Sequence, residues 1–337
     1  MKMMCLRTCV TLSVLILFLS SCSKPLPKYT VDDAGSYEVV TIESVEISRN
    51  TVGEPPFQTV EVYTPPSYTE KGGPYPVIYF LNGYNTPLAY VRTFRDRMNN
   101  AMEDGSSAPF VIVCISGTNV YDGSFYVNSS VTGNWENYIT REVVPVVEDA
   151  YRVVSKRDGR FIAGYSMGGF GALNIGMRHP DMFTAVYAFA PGAFIADDLP
   201  QVLSDWNEYR SASGSGVILK AYAAACTQGD GIPSLDGSDS DNAIAEKWLT
   251  GMSNWEDKVH AFSKKTDTVM PVCIVYGRTD EYVWIQNGSR EIARLLTEYN
   301  LPNELHVIDG DHSLSEEVFT GRMLPFCTGL LENNRTY

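Results

Sequence analysis

With 337 residues, 44% of them hydrophobic and 20% charged, the chain is long enough to bury a full core and has neither the bias of a disordered segment nor that of a repeat array. Its formal charge of −14 disfavours a polyanionic partner, so no nucleic acid is expected.

Lys2 and Arg7 precede an apolar run over 9–19, which is too short to span a bilayer. This predicts a signal peptide over 1–21. Leu19-Ser20-Ser21-Cys22 resembles the lipobox of bacterial lipoproteins, which implies lipidation of Cys22, a tether over 22–35 and one α/β domain over 36–337. The expected product is exported and held at a membrane, periplasmic or at the cell surface, by its lipid alone. Cys114 and Cys273 fall inside apolar runs and read as small buried core residues.

The stretches 36–48 and 57–63, FQTVEVY, alternate and read as two antiparallel lead-in strands. Continuous apolar runs at 76–81, PVIYFL, and 110–115, FVIVCI, read as buried parallel strands. Between them Leu88, Val91, Phe94, Met98 and Ala101 share a helical face. A polar, aromatic loop over 116–133 leads to a helix expected over 134–151 and kinked by Pro145. After the strand 184–189, TAVYAF, the strand-helix alternation lapses over 195–266, where SASGSG and GDGIPSLDGSDSDN occur; this reads as an inserted cap between the sixth and seventh core strands. The alternation resumes with 271–276, PVCIVY, a helix through Ile285, Ile292 and Leu296, and a last strand at 305–308. Ser313 and Glu316 form a capping-box pattern that predicts a final helix directly after His312. The fold class is therefore α/β, a mainly parallel central sheet flanked by helices.

Residues 160–171, RFIAGYSMGGFG, place Gly164-Tyr165-Ser166-Met167-Gly168 between an apolar strand and the start of a helix. This is a G-x-S-x-G nucleophile elbow, in which a tight turn lifts the serine hydroxyl clear of the sheet. Asp280 and His312 also fall at the carboxyl ends of expected strands, where such sheets carry their active sites. The order Ser, Asp, His is that of α/β-hydrolases. In this arrangement His312 takes the proton of Ser166 and Asp280 orients the imidazole; Glu281, Asp309 and Asp311 are rivals for the acid. The backbone N–H groups of Met167 and Tyr84 are candidate oxyanion donors. His179 reads as a helix-end residue, and His260 and His306 as structural or surface residues.

On these residues the chain resembles the esterase D-like branch of α/β-hydrolases, a group that includes feruloyl and acetyl xylan esterases, S-formylglutathione hydrolases, enterochelin esterases and mycolyltransferases. The resemblance covers 37–195 and 267–332, and its markers are YPVIYFLNG at 75–83, WENYI at 135–139, GYSMGG at 164–169 and Gly310-Asp311-His312. It implies nucleophile Ser166, acid Asp280, base His312 and oxyanion donors near Tyr84 and Met167; the reading as a whole expects no metal or organic cofactor. The chain departs from the branch at Asn82-Gly83, where His-Gly is usual. Asn82, Tyr126, Asn128 and Trp135 are candidate substrate contacts, the aromatic loop 121–129 either stacking on substrate or packing on the domain. Asp236, Asp239 and Asp241 form an acidic run without EF-hand spacing and read as a solvated loop. The expected activity is a serine ester hydrolase acting on acylated carbohydrate, acetyl or feruloyl esters of plant polysaccharide. The alternatives are an acyltransferase and a non-catalytic glycan-binding module.

Overall fold

A computed structural model describes residues 35–69, 72–208, 218–227, 231–234, 236–265 and 269–334. The expected leader, Cys22 and the tether up to residue 34 lie outside the described residues, as does the SASGSG stretch of the insert.

Strand β1 (Ser36–Glu43) pairs antiparallel with β2 (Phe57–Thr64), from Ser36↔Thr64 to Glu43↔Phe57. Then come β3 (Val77–Leu81) and β4 (Val111–Ile115), buried along their whole length because helices cover both faces of the sheet. The remaining strands of this sheet are β5 (Arg160–Tyr165), β6 (Ala185–Phe189), β7 (Val272–Gly277) and β8 (Asn303–Ile308). Their order is β1-β2-β4-β3-β5-β6-β7-β8. Strand β2 joins β4 antiparallel, and every later pairing is parallel. The carboxyl ends of β5, β7 and β8 consequently open on one edge, with β6 between the first two.

The helices depart from the sequence expectation in detail. The face read over 88–101 begins as a 3-10 turn, Leu88–Phe94, before α1 (Arg95–Glu103), and Val91, Phe94 and Met98 are the residues it buries. The single kinked helix expected over 134–151 is a short turn at Trp135–Asn137, a π-helical segment at Tyr138–Val143 and α2 (Val144–Ala150). The three segments run on without a break, and Pro145, which has no N–H to donate, lies in the first turn after the π segment. The elbow is followed by α3 (Met167–Arg178), buried from Met167 to Met177. The insert supplies α4 (Leu199–Glu208), α5 (Ile218–Cys226), α6 (Asp239–Trp248) and α7 (Trp255–Ser263). After β7 comes α8 (Val283–Glu298), and the chain closes with a turn at Glu316–Val318, a π segment at Phe319–Met323 and α9 (Leu324–Asn334). Ser315 caps that turn by accepting from the N–H of Val318, so the expected cap at Ser313 lies two residues too early. The N–H of Ser313 instead donates to the Asp311 carboxylate.

Aromatic side chains fix the insert to the body. Trp206 and Tyr222 lie 4.8 Å apart between ring centres, and Tyr222 and Trp248 4.2 Å apart. Phe125 reaches Tyr222 at 5.1 Å and Trp284 reaches Trp206 at 5.6 Å, both from outside the insert. Hydrogen bonds reinforce the seam: Trp255 Nε1 donates to the Phe194 carbonyl, and Trp284 Nε1 to the Asp205 carboxylate. The loop aromatics Phe125 and Tyr126 are fully buried, which decides the loop question in favour of packing. The acidic run lies at the start of α6, where Ser238 accepts from the N–H of Asp241 and the Asp236 carboxylate accepts from the N–H of Ser238.

Candidate active site

The elbow is a backbone construction before it is a chemical one. Ser166 sits at φ +56° and ψ −117°, a conformation costly for any residue with a side chain, held in place by the structure around it. Its N–H donates to the Phe189 carbonyl at the end of β6, and its own carbonyl accepts from Gly192. The flanking glycines are obligatory for space: a Cβ on Gly164 would lie 2.1 Å from the Gly168 carbonyl oxygen, and one on Gly168 would lie 1.9 Å from that of Leu81. Strand β5, the first turn of α3 and the end of β3 therefore meet backbone to backbone beneath the serine.

Two further loops converge on Ser166. The loop after β7 carries Asp280 and the loop after β8 carries His312. They are tied together where Arg278 N–H donates to the Ile308 carbonyl, and where Thr279 donates through both its N–H and its hydroxyl to the Gly310 carbonyl. His312 Nε2 stands 2.9 Å from Ser166 Oγ, and its Nδ1 stands 2.9 Å from Asp280 Oδ2. The Asp280 side chain is completely buried, and its other oxygen accepts from the N–H of Tyr282. A carboxylate can only accept, so Nδ1 is assigned the imidazole proton and Nε2 is left to accept from the serine hydroxyl. Tyr165 and Tyr282 flank the imidazole at 5.4 and 5.0 Å. Of the rival acids, Asp309 pairs with exposed Arg278 and Asp311 accepts from Ser313, so neither is the partner of His312 in this arrangement.

Met167 opens α3, so its N–H is one of those at a helix start that have no carbonyl four residues back, and it adjoins the serine. Tyr84 lines the same cavity as Ser166 and His312. That cavity measures about 90 Å³, and its far wall is Trp206, Ile218, Trp284 and Ile285. The sequence reading missed these four: Trp284 follows Asp280 too closely to carry a motif of its own, and Trp206 and Ile218 come from the insert, where nothing in the spacing says which side chains turn inward.

The four expected substrate contacts lie elsewhere. Asn82 is buried; its amide donates to the Pro87 carbonyl, its N–H to Ile115, and its carbonyl accepts from the Tyr126 hydroxyl. Tyr126, also fully buried, stands 2.8 and 2.9 Å from the carbonyls of Asn82 and Ile115. Together they brace the turn that carries Tyr84, behind the cavity. Trp135 is buried, with its indole N–H on the Thr132 carbonyl, and Asn128 is bonded to Asn137 beside a separate hollow. The burial of Asn82, Tyr126 and Trp135 is not visible in the sequence, whereas Asn128 is exposed but does not line the cavity at Ser166. His179 ends α3 as expected, its N–H donating to the Ile175 and Gly176 carbonyls, and its ring also stands 2.8 Å from the buried Glu136 carboxylate, which accepts from Arg178. Burial pushes the Glu136 carboxyl up, but the bonds from His179 and Arg178 and their charge outweigh it and hold the group below the usual glutamate range.

A mainly parallel sheet in this order, with a strained serine after β5 and a histidine bridging it to a buried aspartate, defines the α/β-hydrolase fold. The family model described as "Putative esterase" matches residues 57–325, and the chain belongs to that esterase family. Esterase Rv1288 of Mycobacterium tuberculosis is 26% identical over an alignment of 278 residues that covers 77% of this chain and 53% of that protein. The endo-1,4-beta-xylanase/feruloyl esterase of Xylanibacter ruminicola is 27% identical over 167 residues, 47% of this chain and 22% of that one. The chain thus spans about half the length of the first of these curated relatives and less of the second. A solved ferulic acid esterase superposes with a TM-score of 0.60 over 88% of this chain and 98% of its own, at 21% identity, a likeness of fold.

Proposed function

We propose that the chain is a serine carboxylic-ester hydrolase that works through an acyl-enzyme. The observation that carries this reading is His312, 2.9 Å from Ser166 Oγ on one side and 2.9 Å from a buried Asp280 on the other. As Ser166 attacks the ester carbonyl, Nε2 takes the hydroxyl proton, and Asp280 stabilises the imidazolium that forms. The N–H groups of Met167 and Tyr84 receive the negative charge on the tetrahedral oxygen. His312 then protonates the departing alkoxide, and water repeats the sequence on the acyl-serine to release the acid.

The substrate class proposed is an acylated carbohydrate, in keeping with the name of the Xylanibacter relative, a xylanase and feruloyl esterase. A cavity of about 90 Å³ closed by Trp206 and Trp284 is well under the ~300 Å³ of a pocket for a drug-sized ligand, and favours a short acyl group such as acetyl over feruloyl. Export and lipid anchoring through Cys22 complete the proposal, and a Cys22→Ala chain that leaves the membrane fraction would support it. The test of the activity is hydrolysis of p-nitrophenyl acetate, p-nitrophenyl butyrate, methyl ferulate and acetylated xylan by the wild type and by Ser166→Ala. Activity greatest on the acetyl esters and lost in the variant is expected; a folded wild type inert on all four would overturn the reading.

A further inference from the structure

Tyr187 of β6, Cys273 of β7 and Glu304 of β8 are direct register partners across three adjacent parallel strands. Their side chains therefore share one face of the sheet, and His306, two residues past Glu304, joins them there. With Arg322 and Phe326 they line a cavity of about 380 Å³, which has no residue in common with the cavity at Ser166. Cys273 Sγ, a Glu304 carboxylate oxygen and a His306 ring nitrogen all lie within 4.8 Å of one another, and the Glu304 and His306 atoms are 2.9 Å apart. Cys273 is buried, whereas Glu304 and His306 are about half exposed on the edge strand and so leave a way in from solvent.

The Tyr187 hydroxyl supplies a second observation. It is buried in the wall of this cavity and has no hydrogen-bond partner, although a hydroxyl withdrawn from water ordinarily has one. A polar group left unsatisfied in the wall of a cavity that three convergent donor atoms also line marks a place for a ligand.

We propose that Cys273, Glu304 and His306 bind a zinc-class divalent cation, with the Tyr187 hydroxyl as partner to a water in its fourth position. The donor set selects the ion: thiolate and imidazole suit zinc rather than calcium or magnesium, which prefer oxygen alone, and three protein ligands plus water make a four-coordinate site. Thiolate and carboxylate neutralise the ion's two charges, so the Arg322 guanidinium faces a neutral site. The cation displaces the Cys273 thiol proton on binding, and that proton is released to solvent. The ion fastens edge strand β8 to β7. Since β8 runs directly into the loop carrying His312, the site steadies the base of the proposed reaction without touching substrate.

The test uses the untagged chain, stripped with EDTA, held under a thiol-free reductant and titrated with Co²⁺ as a spectroscopic substitute for Zn²⁺. One equivalent is expected to bind with a thiolate-to-cobalt charge-transfer band, and Zn²⁺ should displace it. Cys273→Ser should abolish the band. His306→Gln, a surface change that leaves the fold intact, should weaken binding at least tenfold. Wild-type chain showing no such band at saturating Co²⁺, or binding undiminished in His306→Gln, would overturn the proposal.

Discussion

The elbow and the insert both border the cavity at Ser166, but they are built in opposite ways. Around Ser166 the fit is backbone against backbone, with glycines at 164 and 168 because a Cβ has no space there. Around Trp206 the fit is side chain against side chain, an aromatic cluster that draws Phe125 and Trp284 from distant parts of the chain. The first kind of fit specifies residues at fixed spacing, and the second specifies only size and hydrophobicity. In the proposed reading the elbow sets the chemistry and the insert sets which acyl group reaches it.

Substitutions can break that division at several points. The largest expected effect is on the elbow's chemistry: Ser166→Ala and His312→Ala should each lower kcat by about 10⁴-fold or more, and the double variant should be scarcely worse than either, as expected of residues acting as a unit. Steady-state kinetics with p-nitrophenyl acetate would read this. Gly168→Ala tests the backbone fit itself. Its Cβ would meet the Leu81 carbonyl at 1.9 Å, and neither backbone can yield cheaply, so a loss of about 3 kcal/mol or more in urea unfolding is expected.

Trp206→Ala tests the other side of the comparison. Removing a buried indole should cost about 3 kcal/mol in stability. It should also raise the butyrate-to-acetate ratio of kcat/KM by roughly tenfold, since the cavity gains length while the elbow is untouched. A ratio left unchanged would remove the insert from acyl selection.

A smaller effect is expected at Glu136, which lines a hollow beside Cys226 and Lys258 of the insert and is not part of the cavity at Ser166. Its carboxyl titrates below the usual range in the folded chain, so the unfolded state binds more protons as the solution turns acid. The stabilisation is complete above the ordinary glutamate pKa and is lost as pH falls through the lower folded value. Glu136→Gln should cost about 2 kcal/mol at neutral pH, with the gap from wild type narrowing under acid, as followed by urea midpoints across pH.

The same contrast explains what was legible in the sequence. Strands such as 76–81 and 110–115 declared themselves as continuous apolar runs because burial on both faces leaves no polar position. Ser166 and Asp280 could be proposed because each follows such a strand, and His312 because it follows the short edge strand β8; a sheet of this kind presents its strand ends together. Asn82 and Tyr126 misled because polar and aromatic loop residues look alike whether they meet substrate or hold a turn from behind. Trp206, Ile218 and Trp284 carried no signal, since cavity walls assembled from separated segments have no spacing to read. The cap of the last helix went to Ser315 rather than Ser313, as two serines near a glutamate offer the same local pattern.

The central proposal is that Ser166 is acylated during turnover. The direct measurement is intact and peptide mass of the chain acid-quenched while it hydrolyses p-nitrophenyl acetate. The expected result is one acetyl group, on the peptide containing Ser166, absent from Ser166→Ala. An adduct on another residue, or hydrolysis that continues at the wild-type rate in Ser166→Ala, would contradict it.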